Sequence, residues 1–163
     1  MLGESSLGRR VYDLRRVMQL LRGLGSVYAA GRQSEGSASP PPLRLVGNGQ
    51  GALVAAFAAL LDEHDVTVDL VHAPLACAAW AEAPLCTWPV SSVLRGMLQH
   101  FDLPDVYRAL GKRLRIFTPS DAVMAPMAAG AARDEAQKRG VALEQLQEGN
   151  TLRAGESKKG CKL

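Results

Sequence analysis

The stretch Leu43-Arg44-Leu45-Val46-Gly47-Asn48-Gly49-Gln50-Gly51-Ala52 decides the fold of this chain. It predicts a strand, then a glycine-rich turn, then the start of a helix. The glycines at alternate positions free the backbone from the Cβ clashes that forbid positive φ. The chain can therefore reverse tightly and set a helix N-terminus against the end of the strand. A turn of this kind presents a nucleophile or cradles a phosphate.

The segments around this turn predict a βαβ unit. The alanine-rich run 52–61 is apolar on several sides, as expected of a helix sandwiched between a sheet and other helices. The run 66–71 has the composition of a short, buried parallel strand, and 113–118 is a third strand candidate. Strand, helix and strand at this spacing form a right-handed crossover. We therefore expect an α/β fold with three layers, α/β/α, around a short parallel sheet.

Further helices are expected before and after this unit. Apolar residues recur at steps of three or four near the start of the chain, which is typical of an amphipathic helix. Later segments carry start signals for helices. Ser91 or Ser92 can cap a helix that begins near Val93, and the run 102–105 begins another. The predicted helices are 7–24, a short one within 72–88, 93–100, 102–110 and 127–139.

Length and composition predict one domain. The chain has 163 residues, 47% of them hydrophobic and 21% charged, which is enough to bury a core. We expect the domain to span 1–148, with a flexible Gly/Ser/Pro-rich loop at 31–42. The segment 149–163 is polar, basic and glycine-containing, and is expected to be a disordered tail.

Charge and hydropathy argue against two classes of partner. The formal net charge is only +3 and aromatic residues make up 5% of the chain, whereas nucleic-acid binding usually needs a stronger basic excess with interleaved aromatics. No apolar stretch reaches the length of a membrane span, and the N-terminus lacks the apolar core of a signal peptide. We expect neither nucleic acid nor membrane as a partner, and a soluble cytoplasmic protein.

The cysteines predict no metal site and no disulfide framework. Cys77, Cys86 and Cys161 are odd in number and follow no metal-ligand spacing, so reduced thiols are expected, with no cofactor. The final Cys161-Lys162-Leu163 is a variant of the Ser-Lys-Leu peroxisomal signal, which leaves a peroxisomal location as an alternative.

The glycine turn satisfies a relaxed dinucleotide-binding pattern. Gly47-x-Gly49-x-x-Ala52 lies between a predicted strand and a predicted helix, as that fingerprint requires. The acidic residue that reaches a ribose hydroxyl should end the second strand. Asp69 instead lies inside 66–71, so a small nucleotide-binding module is an alternative hypothesis.

The same turn fits the G-x-S-x-G frame of a nucleophile elbow. In Gly47-Asn48-Gly49-Gln50-Gly51 the nucleophile position is Gly49, which has no side chain to attack a carbonyl carbon. An acyl-enzyme formed by a serine at this position is therefore excluded.

Beyond the turn, the run from Leu2 to about Pro126 resembles the later part of an α/β-hydrolase, in the branch that holds acetyl xylan esterase-like and dienelactone hydrolase-like proteins. The elbow alone would not be specific. The resemblance rests on Leu2-Gly3, Gly8-Arg9-Arg10-Val11-Tyr12-Asp13, Gly47-x-Gly49-x-Gly51, Ala55-Ala56-Phe57-Ala58-Ala59-Leu60, Val93-Leu94-x-Gly96-Met97-Leu98-x-His100-Phe101-Asp102-Leu103-Pro104-Asp105 and Ala109-Leu110.

The resemblance implies a degenerate catalytic set. It maps the serine nucleophile to Gly49 and the triad acid to Asp121, or failing that Asp105. The backbone amide of Gln50 would be the oxyanion donor, and the binding positions of the turn are Gly47, Asn48, Gln50 and Gly51. The triad histidine should follow the acid, yet no histidine follows His100. We expect no hydrolysis, as in a pseudoenzyme or a fragment with a binding or structural role.

Two other expectations stay open. An esterase-like enzyme would have to use non-standard residues, namely Cys77, Cys86, Ser91 or Ser92 with His72 or His100, or receive missing parts from another chain. The resemblance also places the first strand, 43–46, inside a larger sheet, so one of its edges is expected to be bare. A bare strand edge predicts a protein partner or homo-oligomer.

Overall fold

A computed structural model of the protein describes residues 5–30 and 42–147. The predicted tail at 149–163 and all but the last residue of the predicted loop at 31–42 lie outside the described residues. Across those described ranges, no helix has the length and apolar character needed to cross a membrane.

A parallel sheet organises the described residues. Its four strands lie in chain order, β1-β2-β3-β4, and each pairs with its neighbour in parallel. The predicted α/β class with a short parallel sheet is confirmed. The strands are β1 (Leu43–Asn48), β2 (Val66–Val71), β3 (Leu114–Phe117) and β4 (Leu146–Gln147).

The helices agree with most of the sequence-based predictions. The first helix is longer than expected, and α2 begins directly after Gly49. Asp102 caps α4, because its carboxylate accepts a hydrogen bond from the N–H of Leu103 and takes part in a capping box with Asp105. The helices are α1 (Ser6–Ala30), α2 (Gln50–Leu60), α3 (Ala78–Glu82), α4 (Leu103–Leu110) and α5 (Ala129–Arg139).

The predicted helix at 93–100 is wrong. The structure has two short 3₁₀ turns instead, Val90–Ser92 and Met97–Gln99. Gly96 lies between them in the left-handed conformation, with φ 75°, which a continuous right-handed helix cannot contain. The sequence did not predict β4, because a strand of two residues is too short to show an alternating hydrophobic pattern.

The core lies between the sheet and the helix that leaves the glycine turn. Val66, Val68 and Leu70 of β2 are fully buried. The alanines of α2 are buried as well, and their small side chains let the helix lie close to the strands. On α4, the hydroxyl of the fully buried Tyr107 donates a hydrogen bond to the carbonyl of Pro74, 2.7 Å away.

The first helix lies alongside α2 and runs in the same direction. Near the start of α2, Arg10 Nη1 donates to Gln50 Oε1 at 3.3 Å. Beyond its other end, Arg22 forms a two-bond pair with the Asp62 carboxylate, at 2.8 and 2.9 Å. Both contacts join residues that are 40 positions apart in the sequence. The two helices therefore stay in register along their length.

Candidate functional site

The glycine turn at the end of β1 has the backbone of a sharp strand-to-helix turn. Gly49 has φ 55° and ψ −119°, a conformation that side-chain-bearing residues rarely adopt. Its N–H donates to the carbonyl of Val71 at 2.9 Å, and its carbonyl accepts from the N–H of Ala52 at 3.0 Å. The turn is therefore fixed both to β2 and to the first turn of α2.

The glycine two residues earlier is needed for close packing. A Cβ at Gly47 would lie 2.5 Å from the carbonyl oxygen of Gly51 and 2.6 Å from the Cα of Ala52. These are backbone atoms, so the strand and the helix would have to separate. At Gly49 and Gly51 an added Cβ meets nothing within 4 Å. A side chain at position 49 would thus project into open space, where an elbow presents its nucleophile.

Polar side chains around the turn are available to a ligand. Asn48 is exposed and Gln50 is half-buried. The Gln50 amide oxygen accepts a hydrogen bond from Arg10, which brings a guanidinium group to the N-terminus of α2. This end of the helix is the part of the turn best suited to attract an anion.

One imidazole lies beside the turn, at the end of β2. His72 has φ 52°, and its N–H donates to the carbonyl of Phe117 at 3.1 Å. Its Nδ1 lies 3.1 Å from the carbonyl oxygen of Thr118, which has φ 44°. A carbonyl oxygen can only accept, so Nδ1 carries the proton and Nε2 is the basic nitrogen. Strained residues of this kind cluster at functional sites.

The carboxylates of the two candidate acids, Asp121 and Asp105, accept hydrogen bonds from residues close to them in the sequence. Oδ1 of Asp121 accepts from the N–H groups of Val123 and Ala125, at 3.0 and 2.9 Å. Asp105 accepts from the N–H of Asp102 at 3.0 Å and from Arg108 at 2.8 Å. The backbone hydrogen bond from Asp102 and the pair with Arg108 lower the pKa of Asp105. No hydrogen bond within residues 5–30 and 42–147 joins either carboxylate to an imidazole.

The non-standard nucleophiles are not assembled with a base. Burial raises the pKa of the Cys77 thiol far above its ordinary value, and the Asp102 carboxylate adds to that effect. A thiol held in this form is a poor nucleophile. Cys86 is exposed, and Ser92 is buried with an unpartnered hydroxyl. In the described part of the chain, no hydrogen bond links Cys77, Cys86, Ser91 or Ser92 to the side chain of His72 or His100.

The acid of the nucleotide hypothesis lies on the sheet and does not reach the turn. Asp69 is fully buried inside β2 and pairs with two arginines from the neighbouring strands. Arg44 contacts it through Nε, at 2.6 Å, and through Nη2; Arg115 contacts it at 2.7 and 2.9 Å. This Arg44–Asp69–Arg115 cluster links β1, β2 and β3. Sequence analysis missed it, since the pairing depends on strand register.

A cavity of about 610 Å³ opens where β3 and β4 end. The first turn of α5 lies on one side of it, and Thr118 and Gln147 lie at the strand ends. Within the described ranges, no group of three or more His, Cys, Asp or Glu side chains is placed to hold a metal ion. The carboxyl ends of the strands, where ligands of open α/β folds usually bind, thus combine the glycine turn, His72 and this cavity.

Comparisons with known proteins returned no match to any family model, curated protein or solved structure.

Proposed function

We propose that this protein is a non-catalytic α/β-hydrolase-like protein with a binding or structural role. The observation that carries the proposal is the backbone of Gly49, whose φ of 55° and ψ of −119° fit a nucleophile elbow while the residue itself has no attacking atom. Reduced cysteines and a cytoplasmic location belong to the same proposal, because the three cysteines of the sequence are odd in number and follow no metal-ligand spacing.

The neighbouring groups support the absence of catalysis. The imidazole of His72 is oriented by a carbonyl oxygen of Thr118, whereas the base of a triad is oriented by a carboxylate. The Asp121 carboxylate is engaged by two backbone N–H groups of its own loop. Without a nucleophile or a carboxylate-oriented base, acyl transfer would depend on the helix N-terminus alone, which supplies a small part of normal catalysis.

Ester turnover tests this proposal. Hydrolysis of p-nitrophenyl acetate should stay at the buffer rate both for the natural protein and for Gly49→Ser, since the new hydroxyl would lack an oriented base. A His72→Ala control measures any imidazole-dependent background. Turnover by the natural protein that one Cys, Ser or His substitution abolishes would contradict the proposal and favour the ester-hydrolase alternative.

A second candidate function is nucleotide binding at the turn. It is favoured by the Arg10 guanidinium beside the N-terminus of α2, 3.3 Å from Gln50 Oε1. The engagement of Asp69 by Arg44 and Arg115 argues against a ribose contact. Saturable NAD binding that is lost in Gly49→Val would establish this function, and no binding at millimolar NAD would remove it.

Association through the edge of the sheet stays a prediction. Among the described strands, β1 pairs with β2 alone, so its other edge has no strand partner there. Sedimentation equilibrium measures whether the protein is monomeric, and a concentration-dependent dimer that Leu45→Pro disperses would support an edge contact.

A further inference from the structure

The described helices all lie on one face of the sheet. Because the strands lie in chain order, every connection between them moves in the same direction across the sheet. Crossovers between parallel strands are right-handed, so the helices α2 to α5 fall on the same side. The packing agrees with this rule. Both α1 and α4 contact α2, which lies on β1 and β2, and Ala136 of α5 belongs to the same buried core as Ile116 of β3.

The opposite side of the sheet, the open face, has no helix on it within residues 5–30 and 42–147. Strand register assigns its members, which are alternate residues of each strand. They are Arg44, Val46 and Asn48 of β1, Thr67, Asp69 and Val71 of β2, Arg115 and Phe117 of β3, and Gln147 of β4. Most of the outer members are exposed, and Val46 exposes 53% of its surface.

An uncovered face is unusual for a sheet of this kind. Parallel sheets are normally buried on both sides, because their crossovers place helices over them. Here the open face carries an exposed valine on β1 and a half-buried phenylalanine, Phe117, on β3. A partner that covered Val46 and Phe117 would remove apolar surface from water and gain stability. The open face therefore has the character of an unfilled interface.

The charge of the open face selects the sign of such a partner. Asp69 is buried between Arg44 and Arg115, so two positive groups and one negative group leave a net charge of +1. Each guanidinium uses Nε and Nη2 for the carboxylate. Across the described ranges, neither Nη1 has a hydrogen-bond partner. Because these side chains are 37% and 45% exposed, their remaining N–H groups are accessible to an acceptor.

Other occupants match the open face less well. A second copy of this chain would place its own two arginines against Arg44 and Arg115, and like charges across an interface repel. The segments outside the described residues do not have the required sequence either. The stretch 149–163 is polar and basic, and 31–42 is dominated by Gly, Ser and Pro. Neither shows an apolar period flanked by acidic residues.

We propose that the open face binds an acidic, amphipathic helix of another polypeptide. Its apolar stripe would lie on Val46 and Phe117, and its carboxylates would accept hydrogen bonds from Nη1 of Arg44 and Arg115. A strand of six residues is about 20 Å long, which a helix of about 13 residues spans. The proposal does not rest on the absence of catalysis, since an active enzyme with this strand order would have the same open face.

Two synthetic peptides test the proposal. The first has about 18 residues, with leucines along one helical face and glutamates on both sides of that stripe. The second has lysine at every glutamate position. Each carries fluorescein and is titrated with the full-length protein, and anisotropy measures binding. We expect saturable binding of the acidic peptide, with half-saturation below about 1 mM, and at least about tenfold weaker binding of the basic one.

Substitutions locate the contact on the open face. Val46→Glu places a negative charge at its centre and should weaken binding of the acidic peptide by about tenfold or more. Val46→Lys removes the same apolar side chain but keeps the positive charge, so it should lose less affinity than Val46→Glu. Leu20→Glu is the matched control, because Leu20 is 62% exposed on α1, on the other side of the sheet. It should bind as the natural protein does.

Each outcome decides the proposal. No saturable binding of the acidic peptide, equal binding of both peptides, or equal losses in Val46→Glu and Leu20→Glu would overturn it. Equal losses in Val46→Glu and Val46→Lys would show that charge does not select the partner, which also overturns it. Sedimentation velocity covers the remaining occupant. A dimer of the natural protein that Val46→Glu disperses would assign the open face to a second copy.

Circular dichroism establishes that each variant is folded. Should Val46→Glu fail to fold, salt dependence in the natural protein decides instead. Binding of the acidic peptide should weaken severalfold between about 0.05 and 0.5 M NaCl, because salt screens exposed charges. Binding that does not change with salt would overturn the proposal.

Discussion

The ends of β1 and β3 lie at the same edge of the sheet but are built in different ways. At the end of β1, glycines set the path of the backbone, and position 49 has the shape of a nucleophile elbow without a functional group. At the end of β3, side chains set the local structure. Ser120 is buried, and the Asp121 carboxylate accepts hydrogen bonds from two backbone N–H groups of its own loop. The shape of a turn and its chemistry are thus specified by different residues. The shape of this turn alone therefore does not indicate a reaction.

Substitution of Gly47, at the end of β1, should destabilise the protein most. Gly47→Ala should lower the free energy of unfolding by at least about 3 kcal/mol, because the new Cβ meets backbone atoms that no rotamer change can move. The closest of these, the carbonyl oxygen of Gly51, would be 2.5 Å away. Urea denaturation followed by circular dichroism measures the loss.

Gly51→Ala is the matched control for that variant. The added Cβ meets nothing within 4 Å, and alanine is the better helix former. We expect a gain of up to about 1 kcal/mol. If Gly47→Ala and Gly51→Ala lowered the free energy of unfolding equally, close packing of the strand against the helix would not be the reason that Gly47 is needed.

The next largest effect lies in β2, which separates the two strand ends. Asp69→Ala should cost about 2 kcal/mol of unfolding free energy, because both arginines lose a charge-assisted partner. The loss stays below that of a fully buried pair, since the side chains of Arg44 and Arg115 are 37% and 45% exposed and can be hydrated.

Thr67→Ala is the control in the same strand. Thr67 is exposed, so the change should stay within about 0.5 kcal/mol in the same urea measurement. A similar loss for Asp69→Ala and Thr67→Ala would mean that the Arg44–Asp69–Arg115 cluster does not hold the strands together.

Asp62, just beyond the C-terminal end of α2, should make a smaller, pH-dependent contribution to the free energy of unfolding. Burial acts to raise the pKa of Asp62, but hydrogen bonds from Arg22 and from the His64 backbone outweigh it, and the pKa lies below its usual value. The unfolded chain therefore takes up the proton first as pH falls. The stabilisation is complete above the ordinary aspartate pKa and is lost as pH falls through the folded pKa.

Asp62→Asn measures this contribution. The variant should lose about 1.5 kcal/mol of unfolding free energy near neutral pH. Its deficit against the natural protein should shrink as the pH falls below the ordinary aspartate pKa. A deficit that stays constant through the acid range would show that the charge of Asp62 is not what joins α1 to α2.

The smallest expected effect is on the β3 side. Asp121→Ala should cost about 1 kcal/mol, because Oδ1 accepts two backbone hydrogen bonds in an exposed loop where water can partly replace it. Asp121→Asn keeps an oxygen acceptor at this position and should retain most of the stability. If Asn were as damaging as Ala, the charge of Asp121, and not its turn-forming oxygen, would be what matters.

The sequence predicted the parts of the fold that local pattern controls. The alternation and β-branched content of 66–71 located β2 at its observed bounds, and Asp102 predicted the start of α4. The prediction of a helix at 93–100 was wrong. A glycine such as Gly96 is compatible with either a helix end or an interrupted loop, and nothing in the local sequence decides between them.

The site was predictable only where backbone geometry follows from residue type. Glycine spacing located the turn, because few other residues tolerate its φ. The pairing of Asp69 with Arg44 and Arg115 depends on the register of three strands, and the isolation of Ser120 Oγ depends on which segments happen to surround it. Neither leaves a mark in the local sequence.

The most direct test of the central claim is covalent labelling with a fluorophosphonate probe, read by intact-protein mass spectrometry. We expect an unchanged mass for the natural protein, because Gly49 has no side chain and the described candidate nucleophiles have no hydrogen-bonded imidazole. Stoichiometric addition of the probe to a single residue of the folded protein, absent after heat denaturation, would identify an active nucleophile and show that the protein is catalytic.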